Sequence, residues 1–498
     1  MRFKPTQPLP IEEPETIHDV SKESTVRCIQ NGNPGAGQED CLLLNVYVPK
    51  EVIEDPEFTV PVMVFLHGGA YATGSGRYSD YGPQHFMKHG IILVTVNYRL
   101  GPFGFLTLGT DDVPGNAAIH DQIMALKWVR DNVQSFGGDP HSVTVFGQSA
   151  GSFSVSMLLL SPLAKGLFQR AIMQSGTPIN PSWRALTHNQ GIKYGQIFLE
   201  KMGCGQSEEV LECLQKLDAK DIDAKSLELT ALSAWAPSPD SLSSKPLLPD
   251  DPEVLLSTGH FNTDVQVIVG TTKDEGVMWF YGQLLDPSSW ATYKDSFDTV
   301  GIKQLLFLYG MDPTTEDLEK AHKILDFYVG DIENIDEDHR QGLFNMGNDA
   351  NELYGTHKTV DYLVDQGMEV YQYLLTYRGE HSISAALAGI QDDVGVNHGD
   401  ELFYQFDPFI KLEYGWDRDL NATEDLLVRE TLLMAWTNFA KHGDPTPPGS
   451  CLPTWTPQPQ DSEEQVYWNI KDSKPRMTFE GNLYNIKERM AFWDKIFK

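Results

Sequence analysis

The chain has 498 residues, 41% hydrophobic and 11% aromatic, which is ample to bury a large core and enclose a cleft. Seventy acidic and 38 basic residues give a formal charge of −32, which excludes the basic footprint of a nucleic-acid binder. The longest apolar run, near Ile91 to Val96, is far too short to cross a bilayer, so no membrane span is expected.

The acidity reads as a solvated surface, as in the acidic loop Asp331 to Asp338, though it can also steer cationic ligands. Met1-Arg2-Phe3-Lys4-Pro5 lacks a signal-peptide pattern. Cys41 to Pro49 reads as a strand, and Val62 to Leu66 as a short strand buried on both faces. The second runs straight into His67-Gly68-Gly69-Ala70-Tyr71. Ile91 to Tyr98 is another buried strand, closed by Arg99 and a Gly/Pro turn. Gln122 to Val133 has helical apolar spacing, ended by Gly137-Gly138.

Val143 to Gly151 is the stretch around which the rest is organised. A β-branched run enters Gly147-Gln148-Ser149-Ala150-Gly151, and an apolar helical stretch, Phe153 to Leu160, leaves it. This strand–turn–helix context is what a nucleophile elbow requires, with small residues on either side of a serine in strained backbone. Strands follow at Ala171 to Ser175, Gln266 to Gly270 and Val370 to Tyr377. Strands alternating with helices predict an α/β chain with a mostly parallel central sheet, whose chemistry gathers beyond the carboxyl ends of the strands. Ala236 to Pro252 and Asp444 to Pro453 read as surface loops. The excursions Pro178 to Asp264 and Glu275 to Val370 read as helical and loop insertions that roof the sheet and shape a pocket.

A serine nucleophile needs a base, a group to orient the base, and donors for the oxyanion. Gly68-Gly69-Ala70 directly follows a strand and can turn its N–H groups into a pocket, and Ala150 supplies another. His398 lies in a glycine-flanked loop, with His381 and His442 as rivals; Asp274 or Glu275 follows the strand at Gln266 to Gly270 and would be the acid. No C-x-x-C or H-E-x-x-H occurs, so neither a metal nor any other cofactor is expected. Cys28/Cys41 and Cys204/Cys213 have spacings that suit local disulfides, leaving Cys451 over. With the glycosylation sequon at Asn421, they lean toward a secreted glycoprotein rather than a cytoplasmic one.

Glu39-Asp40-Cys41-Leu42, His67-Gly68-Gly69-Ala70, Asn97-Tyr98-Arg99, Gly115-Asn116, Asp121-Gln122, the elbow, Gln174-Ser175-Gly176, Lys273-Asp274-Glu275-Gly276 and Gly395 to His398 occur in register. Together they resemble the type-B carboxylesterase/cholinesterase family of α/β-hydrolases. The resemblance implies one α/β-hydrolase domain over 1–498, with insertions forming a gorge. It selects Ser149, Glu275 and His398 as the catalytic triad, and the N–H groups of Gly69, Ala70 and Ala150 as the oxyanion hole. It also implies the Cys28–Cys41 and Cys204–Cys213 disulfides and buried ion pairs Arg2–Glu39 and Arg99–Asp121. Trp183 matches an acyl-pocket position, and Ser175 one behind the triad.

Three departures shape the expected function. The chain begins where relatives have usually already spent a signal peptide and edge strands, so those elements are expected to be missing. Gln148 stands where most relatives carry Glu, and the Cys28–Cys41 loop lacks the tryptophan that cholinesterases use to hold quaternary ammonium. Gln148 is also similar to the elbow of arthropod juvenile hormone esterases. The expectation is a serine carboxylesterase acting on small, neutral, apolar esters. Its alternatives are a juvenile-hormone-type methyl esterase, a slow-turnover sequestering esterase and a non-catalytic binding or adhesion protein.

Overall fold

The computed structural model describes residues 2–8, 24–30, 37–55, 58–227, 235–286, 288–308, 312–330, 335, 337–390, 392–407 and 420–497. Most of the acidic stretch 331–338 lies outside them. The chain forms two compact units: Met1–Gln169 with Ala185–Leu255 and Asp407–Phe409, and Arg170–Arg184 with Leu256–Phe406 and Ile410–Lys498.

In the first unit, strands β1 (Leu44–Tyr47), β2 (Val60–Leu66), β3 (Ile92–Val96) and β4 (Gly138–Gln148) lie in the order β1-β3-β2-β4. β1 is antiparallel to β3; β2 is parallel to both β3 and β4, with Val64 opposite Val94 on one side and Val145 on the other. Val62 to Leu66 are wholly buried, which is why β2 reads as an unbroken apolar run. Helix α1 (Ala117–Asn132) starts five residues before the apolar spacing suggests. Asn116, in left-handed backbone at φ 54°, sets its start, and Ala117, Ala118 and Ile119 are all buried, so its first turn shows no amphipathic stripe. Gly137, at φ 80°, ends the following turn, whereas Gly138 opens β4 instead of closing the helix. Helix α2 (Ala150–Leu160) is buried along its whole length. The reading of Ala236 to Pro252 as surface holds only in part. Asp240 is buried and accepts the Leu247 and Leu248 N–H groups at 3.0 and 2.7 Å, pinning the loop from inside.

In the second unit, β5 (Arg170–Gln174), β6 (Gln266–Thr272), β7 (Val370–Leu375) and β8 (Val466–Ile470) run parallel in that order, and β9 (Arg476–Phe479) is antiparallel at the outer edge. Sequence reading places no strand at β8 or β9. In β8 the Trp455 ring stacked on Trp468 at 4.5 Å supplies contacts that no local pattern encodes. The insertion after β6 is helical: α3 (Thr315–Val329), α4 (Arg340–Asn348) and α5 (Tyr354–Asp365), joined later by α6 (Thr423–His442) and α7 (Ile486–Phe497). Helices α3, α4, α5 and α7 share a core that includes Phe280, Phe297, Ile324, Phe344, Leu353 and Trp493. Among the described residues no helix is long and apolar enough to cross a membrane.

Candidate active site

β4 delivers Ser149 at its carboxyl end. Ser149 has φ 58° and ψ −127°, strained for a residue with a side chain, and α2 begins at the next residue. Gly147 and Gly151 make this turn buildable: a Cβ on Gly151 would collide with the Leu66 carbonyl, and one on Gly147 with the Gly151 backbone. Ala150 donates the first N–H of α2, a group that a helix cannot satisfy internally.

The loop after β2 closes on the same serine. Gly68 has no room for a side chain, since a Cβ there would stand 2.9 Å from the Gln148 carbonyl and 3.1 Å from Ser149 Cβ. Gly69, Ala70 and Tyr71 follow with φ of 106°, 56° and 57°, a turn closed by the Ala72 and Thr73 N–H groups, which donate to the Gly69 carbonyl at 2.9 and 3.0 Å. His67 anchors the loop. Its ring stacks on Tyr98 at 4.2 Å, and burial lowers its pKa to about 4, so it is a neutral packing residue.

In the second unit the carboxylate and imidazole expected from the sequence meet. β6 leads to Glu275, which opens a 3-10 helix, Glu275–Phe280. Glu275 is fully buried; Oε1 accepts the Ser175 hydroxyl and the Thr272 N–H, both at 2.6 Å. Oε2 lies 2.6 Å from His398 Nδ1. Asp274, the other carboxylate, instead ties Lys273 (3.3 Å) and the Val396 N–H (2.9 Å), steadying the loop two residues before the imidazole. Gly395, at φ 95°, is glycine because a Cβ would strike that same Asp274 carboxylate. His381 packs edge-on to Phe403, and His442 is the last residue of α6.

His398 is poised by opposing effects. Burial alone would lower its proton affinity, but Glu275, with Glu352 and Glu401 behind it, raises its pKa to about 9. Asp400 pins the loop from the other end, accepting the Asn397 and Ile383 N–H groups at 2.8 and 2.7 Å. Asn348, which accepts the Glu275 N–H at 3.2 Å, and Glu352 escape a sequence reading. The one local hint is the run Asn348-Asp349-Ala350-Asn351-Glu352, polar yet buried. Among the described residues no group of three or more His, Cys, Asp or Glu side chains is placed to hold a metal ion.

The carboxylesterase family model matches residues 1–493. The chain belongs to the carboxylesterase family. It is 34% identical over 530 residues to juvenile hormone esterase of Tribolium castaneum, covering 99% of this chain and 87% of that one. It is 32% identical over 512 residues to venom carboxylesterase-6 of Apis mellifera, with the same shares covered. The crystal structure of juvenile hormone esterase from Manduca sexta, with OTFP covalently attached, superposes with a TM-score of 0.84 at 25% identity, covering 100% of this chain and 92% of that one. The fold is therefore that of an α/β-hydrolase.

The remaining features implied by the family resemblance are placed as follows. Cys28–Cys41 and Cys204–Cys213 are disulfides, and Cys451 is free and exposed. Arg99, partly buried, pairs at 2.7 Å with the buried Asp121. Arg2 and Glu39 also pair, but not in the interior: Glu39 keeps 38% of its side chain exposed because the pair lies on surface loops. Trp183 is half-buried after β5, and Asn421 is exposed just before α6.

Proposed function

We propose that this carboxylesterase uses Ser149 as nucleophile, His398 as general base and Glu275 as the group that orients the base. The observation that carries this reading is the buried Glu275 carboxylate 2.6 Å from His398 Nδ1, in a family member whose serine sits in a strained elbow. His398 Nε2 takes the Ser149 proton as the hydroxyl oxygen attacks the ester carbonyl. The Gly69, Ala70 and Ala150 N–H groups receive the oxyanion, each supplying about 3 kcal/mol in the transition state. The alcohol leaves with the proton from His398, and water cleaves the acyl-enzyme by the reverse steps.

Neutral, apolar esters are the proposed substrate class. Gln148 adds no charge beside the nucleophile, and the Cys28–Cys41 segment contains no tryptophan to hold a quaternary ammonium. A juvenile-hormone-type terpenoid methyl ester is the specific candidate, supported by the two relatives of that name. An extracellular setting is proposed from the two disulfides, which persist in oxidising compartments, and from the exposed Asn421 sequon.

The test is a fluorophosphonate label with peptide mapping, alongside hydrolysis of p-nitrophenyl esters of rising acyl length and of a terpenoid methyl ester. A label on Ser149, lost in Ser149→Ala together with hydrolysis, supports the reading. Labelling elsewhere, or a Ser149→Ala protein that still turns over, overturns it.

A further inference from the structure

The turn that carries Glu275 is locked onto a second acidic element. Asp349–Leu353 form a single π-helical turn between α4 and α5, a helix irregularity that recurs at functional sites. This turn packs against the 3-10 helix that Glu275 opens. Two glycines permit the close approach of the last turn of α4, which leads into the π-turn. A Cβ on Gly276 would collide with the Phe344 carbonyl and Asn348 N, and one on Gly347 would stand 3.1 Å from Gly276 Cα. Across this seam the Glu275 N–H donates to Asn348 Oδ1 at 3.2 Å.

The π-turn carries two buried carboxyls with different partners. Asp349 is bonded to Tyr328 and paired with Arg489 at 2.6 Å, which accounts for it structurally. Glu352 is only 2% exposed, and the hydrogen bonds it accepts come from side-chain amides, Asn180 Nδ2 and Asn351 Nδ2, both at 3.3 Å. An amide orients a carboxyl without neutralising it. Asn180 lies five residues after Ser175, so the loop that bonds Glu275 through Ser175 also bonds Glu352 through Asn180. Glu352 interacts electrostatically with His398, Glu275 and Glu401, and His398 with Glu275, Glu352 and Glu401. Burial pushes the Glu352 carboxyl well above the ordinary range, while His398 pulls it down.

We propose that Glu352 is a positioning residue for the base: its buried carboxyl acts through His398, favouring the imidazolium formed as the serine proton is taken. This rests on the serine-esterase reading. It gives a purpose to a carboxyl that is buried at a cost and, among the described residues, has no cationic salt-bridge partner of the kind Asp349 has.

The experiment is the pH dependence of kcat/KM on a p-nitrophenyl ester for the wild type, Glu352→Gln, Glu352→Asp and Asn180→Ala. In Glu352→Gln the ascending limb should move toward acid by about one pH unit, with the plateau lowered several-fold. Glu352→Asp should return the limb toward the wild-type position. Asn180→Ala keeps the carboxyl but removes a donor to its ionised form, so its limb should move in the same direction as that of Glu352→Gln. A folded Glu352→Gln protein with an unmoved limb overturns the proposal. If Glu352→Gln does not fold, an unmoved limb in Asn180→Ala overturns it equally. Ser149→Ala, run in parallel, separates the two readings: full activity there overturns the serine mechanism, whereas inactivity there with unmoved Glu352 limbs overturns only this inference.

Discussion

His398 Nδ1 lies 2.6 Å from Glu275 Oε2. An ionised carboxylate can only accept, so the neutral imidazole carries its proton on Nδ1 and keeps Nε2 as the basic nitrogen. The remaining Glu275 oxygen is saturated by Ser175 and Thr272. The carboxylate therefore cannot rotate away without breaking two further bonds.

Replacing Glu275 by Gln puts an NH2 group where an acceptor is needed and favours the other tautomer. The expected loss in kcat is about 10³–10⁴-fold. Ser175→Ala removes one of two bonds to Oε1 and should cost only about 1 kcal/mol, a few-fold in kcat. Steady-state kinetics on both variants check this. A Ser175→Ala loss as large as that of Glu275→Gln would contradict the division of labour.

Because Glu275 and its neighbours outweigh burial and raise the His398 pKa from 6.5 to about 9, the proposed mechanism requires His398 to lose a proton before it can act as the base. The ascending limb of kcat/KM should therefore lie in the alkaline range and not near 6.5. The linked stability has the opposite trend. A raised folded-state pKa makes the imidazolium stabilising, so this contribution is complete below pH 6.5 and is lost as pH rises through about 9. A limb centred at or below 6.5 would show that the carboxylates do not govern His398.

Gly151 stands so close to the Leu66 carbonyl that a methyl group there displaces α2 from the end of β2. Gly151→Ala should lower unfolding stability by about 3 kcal/mol and abolish fluorophosphonate labelling. Gly166, at φ 74° with open space around it, is the control. Gly166→Ala pays only the backbone cost of its left-handed conformation, about 1 kcal/mol, and should keep the label. Chemical denaturation and labelling read both effects.

The Cys28–Cys41 disulfide closes a 13-residue separation, and its removal by Cys28→Ser/Cys41→Ser should cost about 3 kcal/mol. Iodoacetamide on the native, unreduced protein should add one group, at Cys451, the free and exposed thiol. Mass spectrometry counts the additions, and more than one would mean that a disulfide is open.

The elbow, the glycine loop and the central strands were legible in the sequence because each is a local matter. Gly147, Ser149 and Gly151 sit within one turn, and their conformational demands are met by the residues themselves. The unbroken apolar runs of β2 and β3 likewise announce burial on both faces. Choosing Glu275 over Asp274 from the residues alone was impossible, because adjacent carboxylates at a strand end look alike until the fold brings a partner from residue 398 to one of them. The same holds for Asn348 and Glu352. Their neighbours come from the Glu275 turn and from the loop holding Asn180, and a polar run inside a helix says nothing about what will face it. Local sequence encodes backbone preference and periodicity; the meeting of side chains a hundred residues apart is set by chain topology, and only the tertiary structure decides it.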